Sequence, residues 1–308
     1  MTQADLLQLA PEVRQALATG QAVVALESTL IAHGMPYPQN LQTGRALEQA
    51  VRAQGAVPAT IALVDGSLAV GLSGDQLEQL AARGQGAAKA SCRDLAALVV
   101  QRATGGTTVA ATMRIAALAG IGVFATGGIG GVHRGAETSF DISADLTELA
   151  RTPVAVVCAG AKSILDIGKT LEVLETLGVP VLGYRTDEFP AFYSRHSGHS
   201  VSHRFDTVHD IARVIAWHRR VGHAGGVLVA NPVPEHAALE AAGIEARIAE
   251  ALAQAEAAGI AGKALTPYLL QRINELSGGD SLQANIALAT NNAALAGEIA
   301  VALAGLGA

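Results

Sequence analysis

The sequence predicts an α/β fold, a three-layer α/β/α sandwich with a largely parallel central sheet. Short apolar runs such as AVVALEST and VAVVCAG alternate with amphipathic segments, as parallel strands do when helices cover both faces of their sheet. Half of the residues are apolar, 16% are charged and only 3% are aromatic, so we expect a large core packed with small side chains. Because no repeat, linker or composition shift occurs, residues 1–308 are predicted to form a single domain.

The first half of the chain predicts alternating helices and strands. Asp65-Gly66 between two apolar runs is typical of a β-hairpin turn. In chain order we expect a helix over 5–18, a strand in AVVALEST ending at Glu27, a helix from Gln39 to Arg52, a hairpin in TIALVDGSLAVGL, and helices in DQLEQLAARG, DLAALVVQRA and VAATMRIAALAGI.

The second half is centred on VAVVCAGAKSILDIGKTLEVLETLG, residues 154–178, which predicts a buried strand, a small-residue turn and an amphipathic helix. A strand in GVFATGG precedes it. After it we expect a strand in VPVLGYRT, a polar loop over 187–203, a helix through Ile211 and Trp217, a strand in GGVLVANPV, and helix over most of the remaining chain with a break at SGGDS.

Charge and cysteine content narrow the functional classes. The formal net charge is −6 and no long basic run occurs, so binding to a nucleic acid polymer is not expected, whereas a small anionic ligand needs only a local group of donors. Two cysteines, Cys92 and Cys158, without a CxxC motif do not predict a disulfide framework.

The ends of the chain carry no predicted targeting or membrane segment. The first 15 residues lack the basic start and apolar centre of a signal peptide. The apolar C-terminal segment is interrupted by Asn291, Asn292 and Glu298. We therefore expect a cytoplasmic protein without a membrane partner.

Polar residues converge on the predicted strand ends. Glu27, the glycines after Phe124, Lys162 and Asn231 each follow an apolar strand. In open parallel sheets the ligand lies beyond the carboxyl ends of the strands, so these positions are expected to border a binding site.

Lys162 is the first candidate for chemistry. The chain has four lysines against 17 arginines. It usually supplies arginine where only a positive charge is needed, so a lysine at a strand end suggests a different purpose. Unlike arginine, lysine can lose its proton and attack carbon, and a second cation such as Lys89 would favour the neutral amine if it lay nearby. A lysine at this position could also simply extend to solvent.

Other candidates have structural alternatives. Glu27 could act as a general acid, or as a helix cap or ion-pair partner; His33 is more simply a loop histidine. The glycine-rich segment 125–135 fails the dinucleotide fingerprint and is either an anion cradle or a turn. Asp141 could bind a hard divalent metal, and Asp145 could cap a helix. Asn285 is either a ligand contact or a helix-packing link.

Seven blocks of the sequence, in order, resemble those of the pseudouridine-5′-phosphate glycosidases. The resemblance extends from about residue 20 to about residue 303. The blocks are ALESTLIAHGMPYPQN, GTTVAATM, ATGGIGGVHRGAETSFDISADL, VCAGAKSILD, GYRTDEFPAFY, ANPVP and SLQANIALATNNAALA.

The resemblance implies a homotrimeric enzyme that reversibly cleaves the C–C glycosidic bond of pseudouridine 5′-phosphate into uracil and ribose 5-phosphate with a divalent metal, typically Mn²⁺. It implies that Lys162 is the nucleophile, forming an imine with ring-opened ribose, and Glu27 the proton donor. Asp141 matches the metal ligand. The implied substrate-binding residues are Lys89, Val109, Ser143, Ala144, Asp145 and Asn285.

Three other functions use the same features. A Schiff-base aldolase would use the lysine on a sugar phosphate, and a C-glycosynthase would join ribose 5-phosphate to a different acceptor. A non-catalytic sugar-phosphate sensor would bind without turnover. Residues left without a definite role are Thr107, Thr108 and Arg134, which are only candidates for further phosphate ligands, and His133, His196, His199 and His203.

Overall fold

The computed structural model describes residues 6–260, 262 and 265–307. The strands are β1 Leu7–Leu9, β2 Val23–Leu26, β3 Val57–Val64, β4 Ser67–Val70, β5 Ala88–Ala90, β6 Gly105–Thr107, β7 Val123–Ala125, β8 Val132–His133, β9 Ala155–Cys158, β10 Leu165–Asp166, β11 Val181–Tyr184, β12 His203–Phe205 and β13 Leu228–Ala230.

Helices separate most of these strands. They are α1 Pro11–Ala18, α2 Thr29–His33, α3 Gln39–Ala53, α4 Gly74–Arg83, α5 Leu95–Val100, α6 Val109–Ala119, α7 Ala136–Ser139, α8 Ala144–Leu149, α9 Ile167–Thr176, α10 Val208–Arg220, α11 Ala241–Ala257, α12 Leu265–Leu276 and α13 Asp280–Gly305.

Eleven of the described strands form one sheet. Its main path runs β1-β4-β3-β2-β7-β9-β13-β11-β12, with β6 paired to β3 and β5 paired to β6. The pairings along it are parallel except β3 with β4 and β3 with β6. Strands β8 and β10 form a separate antiparallel pair. The central strands β2, β7 and β9 are buried along their whole length, as parallel strands between two helical layers must be.

Helices flank this sheet and confirm the predicted three-layer α/β/α class. Helix α13 lies against β2, β7 and β9 and packs beside α3 and α10, whereas α6 contacts β2, β3 and β4 and packs beside α8. The side chains between the layers are mostly Ala, Val, Leu and Ile, so the scarcity of aromatic residues is compatible with a dense core.

The prediction of one helix over 5–18 was wrong in its first half. Leu7–Leu9 form strand β1, parallel to β4 with Leu7 opposite Leu68, and the helix begins only at Pro11. Residue 5 lies outside the described residues. Proline at the first helical position explains the boundary, because it fits the first turn and lacks only an N–H that would have no helical partner.

Helix α13 is long and apolar enough to cross a membrane, judged by length and composition alone. In this fold 56% of its most apolar window is buried. Asn292, fully buried on this helix, donates to the Thr126 carbonyl oxygen at 2.9 Å and accepts from Asn231 Nδ2 at 2.9 Å. These contacts are those of a core helix that is tied to the ends of the central strands.

Candidate active site

A cavity of about 210 Å³ lies beyond the carboxyl ends of β2, β7 and β9. Eight of the nine predicted site residues line it: Glu27, Lys89, Val109, Ser143, Ala144, Asp145, Lys162 and Asn285. Asp141 is not among the lining residues. Of the positions expected at the strand ends, Glu27, Lys162 and three of the glycines line this cavity, whereas Asn231 does not and is bound to Asn292 instead. The roles of the individual residues stay predictions.

Lys162 is held by a tight turn after β9. Its backbone N–H donates to the Ile129 carbonyl oxygen at 3.0 Å, and its carbonyl accepts from Leu165 N at 3.0 Å. Gly160, at φ +88°, begins the turn, and a Cβ at that position would lie 2.1 Å from the Pro190 carbonyl oxygen. The Lys162 side chain is half-buried, and within the described part of the chain its ammonium has no hydrogen-bond or ion-pair partner. An amine without a structural partner is free to react with a ligand.

Glu27 follows β2 and is 8% exposed. Its two carboxylate oxygens accept hydrogen bonds from the hydroxyl groups of Thr29 and Thr126. The two structural alternatives, a helix cap and an ion-pair partner, are not observed. Among the described residues Glu27 makes no ion pair, and the cap position of α2 is Ser28. A carboxyl that is oriented by two neutral hydroxyls at a cavity wall can hold or release a proton.

Asp145 has a different environment from the predicted helix cap. Ser143 caps α8, its Oγ accepting from Asp145 N at 3.2 Å. The Asp145 carboxylate is buried and accepts from the backbone N–H of Ala110 at 2.9 Å and of Gly130 at 2.7 Å. It thereby ties the first turn of α6 to the glycine-rich segment, and both of its oxygens are already engaged by the protein.

The start of α6 gives one end of the cavity an affinity for anions. Thr108 caps this 11-residue helix, accepting from Ala111 N at 3.4 Å, and Thr108 and Val109 both line the cavity. The helix dipole favours negative charge there, although two amides of the first turn are already bound, Ala110 N by Asp145 and Ala111 N by Thr108. Lys89 adds a positive charge to the same cavity. A phosphate group matches these two features.

Two histidines, His33 and His133, also line the cavity, and His33 is the last residue of α2 rather than the loop histidine that was expected. Burial lowers the pKa of His133; the charges of Lys162 and Lys89 lower it further, while Asp141 opposes the shift. Burial likewise lowers the pKa of His33, with a smaller effect from Lys89. Both rings therefore favour the neutral form beside the two lysines.

Asn285 reaches the cavity from the second turn of α13. It is 4% exposed, and its Oδ1 is buried without a hydrogen-bond partner among the described residues. Gly127 faces it, and a Cβ there would lie 3.3 Å from Oδ1. The unpaired oxygen shows that Asn285 makes no helix-packing hydrogen bond through Oδ1, and a ligand contact stays a prediction.

Asp141 lies beside the cavity with a half-exposed side chain, and its Oδ2 is 4.0 Å from His133 Nδ1. Within residues 6–260, 262 and 265–307, no group of three His, Cys, Asp or Glu side chains is placed to bind one metal ion. One carboxylate suits a hard divalent cation that keeps most of its ligands as water or takes them from a phosphate, rather than a site closed by protein ligands.

Several residues without a definite role are engaged elsewhere. Arg134 binds Glu245, with Nη2 3.0 Å from Oε2. Thr107 belongs to a buried hydroxyl cluster with Ser28 and Thr112. The residues of this group that do not line the cavity are Thr107, Arg134, His196, His199 and His203.

Comparison with known proteins identifies the family. The model of the family described as indigoidine synthase A like protein matches residues 12–302. A pseudouridine-5′-phosphate glycosidase of Sorangium cellulosum is 64% identical over 99% of this chain and 96% of its own length, and that of Escherichia coli is 57% identical over 96% and 95%.

Solved structures share the fold over nearly the whole chain. The prealnumycin C-glycosynthase AlnA, solved in complex with ribulose 5-phosphate, superposes with a TM-score of 0.90 at 44% identity, covering 98% of both chains. An indigoidine synthase A-like protein of Thermotoga maritima gives 0.88 at 35% identity, covering 97% of both. The chain therefore belongs to the pseudouridine-5′-phosphate glycosidase family, within the indigoidine synthase A like group of proteins.

Proposed function

We propose that this chain reversibly hydrolyses the C–C glycosidic bond of pseudouridine 5′-phosphate, giving uracil and ribose 5-phosphate. The observation that carries the proposal is the unpaired amine of Lys162 in one cavity with the carboxyl of Glu27 and the helix start that suits a phosphate. The names of the relatives, at 55–64% identity, support the same reaction.

The phosphate binds at the start of α6. The dipole of α6 and the charge of Lys89 hold the 5′-phosphate, with Ser143 and Ala144 completing the wall. This end is fixed by Asp145, which joins α6 to the glycine-rich segment. Binding energy from the phosphate then positions C1′ of the ribose near the lysine.

Lys162 acts on C1′. Its nitrogen replaces the ring oxygen O4′ on C1′, the C1′–O4′ bond breaks, and O4′ receives a proton. The nitrogen lone pair then forms a C=N bond as the C1′–C5 bond breaks, and the bonding electrons go to C5 of uracil, which is protonated. Water hydrolyses the resulting imine to ribose 5-phosphate and the free amine.

Glu27 manages the protons of this sequence. Its carboxyl, held by the hydroxyls of Thr29 and Thr126, donates to the leaving position and recovers a proton later in the cycle. Direct expulsion of a uracil carbanion would be unfavourable, so both the imine and the proton donor are needed.

Asp141 is the proposed ligand for Mn²⁺ or another divalent cation. Bound there, the cation would offset negative charge on the phosphate and orient water. Manganese binding can be measured without turnover by titration calorimetry, and we expect Asp141→Asn to weaken it while Asp75→Asn, at an exposed carboxylate on α4, does not.

Borohydride trapping tests the imine. Ribose 5-phosphate and the protein are mixed, reduced and digested, and peptides are read by mass spectrometry. We expect a reduced ribose phosphate adduct on Lys162 and none in Lys162→Arg, which keeps the charge but not the nucleophile. No adduct, or an adduct on another lysine, would refute the mechanism.

A C-glycosynthase with another acceptor is the second candidate, because the neighbour of known structure with that name is 44% identical to this chain. Both functions use the same sugar chemistry, so trapping does not separate them. Synthesis from ribose 5-phosphate with uracil, read by liquid chromatography and mass spectrometry, does. A trapped imine without pseudouridine 5′-phosphate formation would favour the synthase.

A homotrimer is proposed from the family resemblance alone. Light scattering coupled to size-exclusion chromatography would give a mass of about three times the 31.3 kDa chain if it is correct.

A further inference from the structure

Three unpartnered acceptor atoms surround a second cavity next to the candidate active site. This cavity of about 520 Å³ is lined in part by His33, Asn274 and Asn285. In the described part of the chain, His33 Nε2, Asn274 Oδ1 and Asn285 Oδ1 are all buried without a hydrogen-bond partner. Because a buried polar atom without a partner costs free energy, a bound group with N–H donors would gain most at these three positions.

His33 and Asn285 form the boundary between the two cavities, since both residues line both of them. Lys162 lines only the first. A substrate whose sugar lies against Lys162 would therefore extend its base towards His33 and Asn285.

His33 can present an acceptor to the cavity. Its Nε2 is buried without a hydrogen-bond partner among the described residues, and a neutral imidazole has one acceptor nitrogen. Burial, and to a smaller extent the charge of Lys89, lowers the pKa of the ring, so it is neutral at pH 7. With its proton on Nδ1, the neutral ring accepts a hydrogen bond at Nε2.

The base of a C-glycoside carries N–H donors that match these two acceptor atoms. Uracil bonded through C5 carries two ring N–H groups, at N1 and N3, whereas uracil bonded through N1 carries only one. Both N–H groups of the C-linked base point away from the glycosidic bond. A pair of acceptors at that edge favours the C-linked isomer, because the N-linked isomer leaves one acceptor unpaired.

We propose that His33 Nε2 accepts a hydrogen bond from a ring N–H of the base, with Asn285 Oδ1 as the second acceptor, and that this pair selects C-linked uracil. The inference rests on the proposed function, which supplies the base. It makes His33 a specificity-determining residue, separate from the groups that act on the sugar.

Synthesis with methylated bases tests this role. Wild-type protein is given ribose 5-phosphate with uracil, 1-methyluracil or 3-methyluracil, and kcat/KM is measured for each base. We expect methylation of at least one ring nitrogen to lower kcat/KM by about tenfold or more, because it removes a donor. In His33→Leu we expect a KM for uracil about tenfold higher and a smaller penalty for methylation, while borohydride trapping of ribose 5-phosphate is unchanged.

His33→Gln, which keeps an acceptor, serves as the matched variant and should retain most of the discrimination. Equal use of the three bases by the wild type would overturn the inference even if His33→Leu did not fold. An unchanged methylation penalty in a folded His33→Leu would overturn it as well. Failure of the wild type to trap ribose 5-phosphate at all would instead refute the proposed function, so the two failures can be told apart.

Discussion

Replacing Asp145 by asparagine tests how far the phosphate end of the cavity depends on one buried carboxylate. Its two carboxylate oxygens accept hydrogen bonds from Ala110 N at 2.9 Å and from Gly130 N at 2.7 Å. The residue is only 5% exposed to solvent. Asparagine has nearly the same shape but only one acceptor oxygen. Its amide NH₂ would face one of the two backbone N–H groups.

The expected loss follows from those contacts. A hydrogen bond to a charged acceptor contributes about 1.5–3 kcal/mol, and a buried N–H left without a partner costs about 1–3 kcal/mol. Since one of the two contacts survives, we expect Asp145→Asn to lower the free energy of unfolding by about 2–4 kcal/mol. The KM for ribose 5-phosphate should also rise, because the first turn of α6 is no longer tied to the glycine-rich segment.

Urea unfolding followed by circular dichroism gives the stability, and initial rates of synthesis give the KM. Glu240→Gln is the matched control, because Glu240 also accepts two backbone N–H groups, from Ala242 at 2.9 Å and Gly243 at 2.6 Å, but is exposed to solvent. Water can replace its lost contact. If Asp145→Asn loses no more stability than Glu240→Gln, the structural role assigned to the buried carboxylate is wrong.

Three further changes test other parts of the site. Gly130→Ala should destabilise the protein by about 1–3 kcal/mol and raise the KM for ribose 5-phosphate, since a Cβ would lie 2.2 Å from Ser143 Oγ; unchanged kinetics would contradict the close approach. Burial raises the pKa of Cys92 and of Cys158 to about 12, so neither thiol should react with iodoacetamide at pH 8 until urea unfolds the protein, as peptide mass mapping would show; rapid labelling of the native protein would refute this. Chelation of divalent metal should lower the rate of synthesis in the wild type far more than in Asp141→Asn, and an equal loss in both would place the metal elsewhere.

The order of strands and helices could be predicted from apolar periodicity because the central strands are buried on both faces. The hairpin around Asp65-Gly66 is correct, with Val64 opposite Ser67 in an antiparallel pair. Strand β1 could not be predicted, since three residues of LQL acquire their extended form only by pairing with β4. Short strands at a sheet edge depend on partners far away in sequence and leave little local signal.

The site was predictable in its positions but not in its contacts. Glu27 and Lys162 were expected at strand ends, and both line the cavity. The hydroxyl of Thr126, which binds Glu27, comes from a position 99 residues along the chain. His33 and Asn285, which line the same cavity, come likewise from distant parts of the chain. Such contacts are set by tertiary packing, so residue types and spacing alone do not contain them.

Helix α13 combines core packing with a residue of the cavity wall. Asn285 and Asn292 are seven positions apart, so they lie on the same face of the helix, about 10.5 Å apart along its axis. Asn292 is bound to the Thr126 carbonyl and to Asn231, at the ends of two central strands. These hydrogen bonds fix the rotation of the helix about its axis and its position along that axis. They therefore also fix where Asn285 meets the cavity. The apolar composition of the rest of the helix follows from its burial against the sheet, and the two asparagines mark the face where it meets the strand ends.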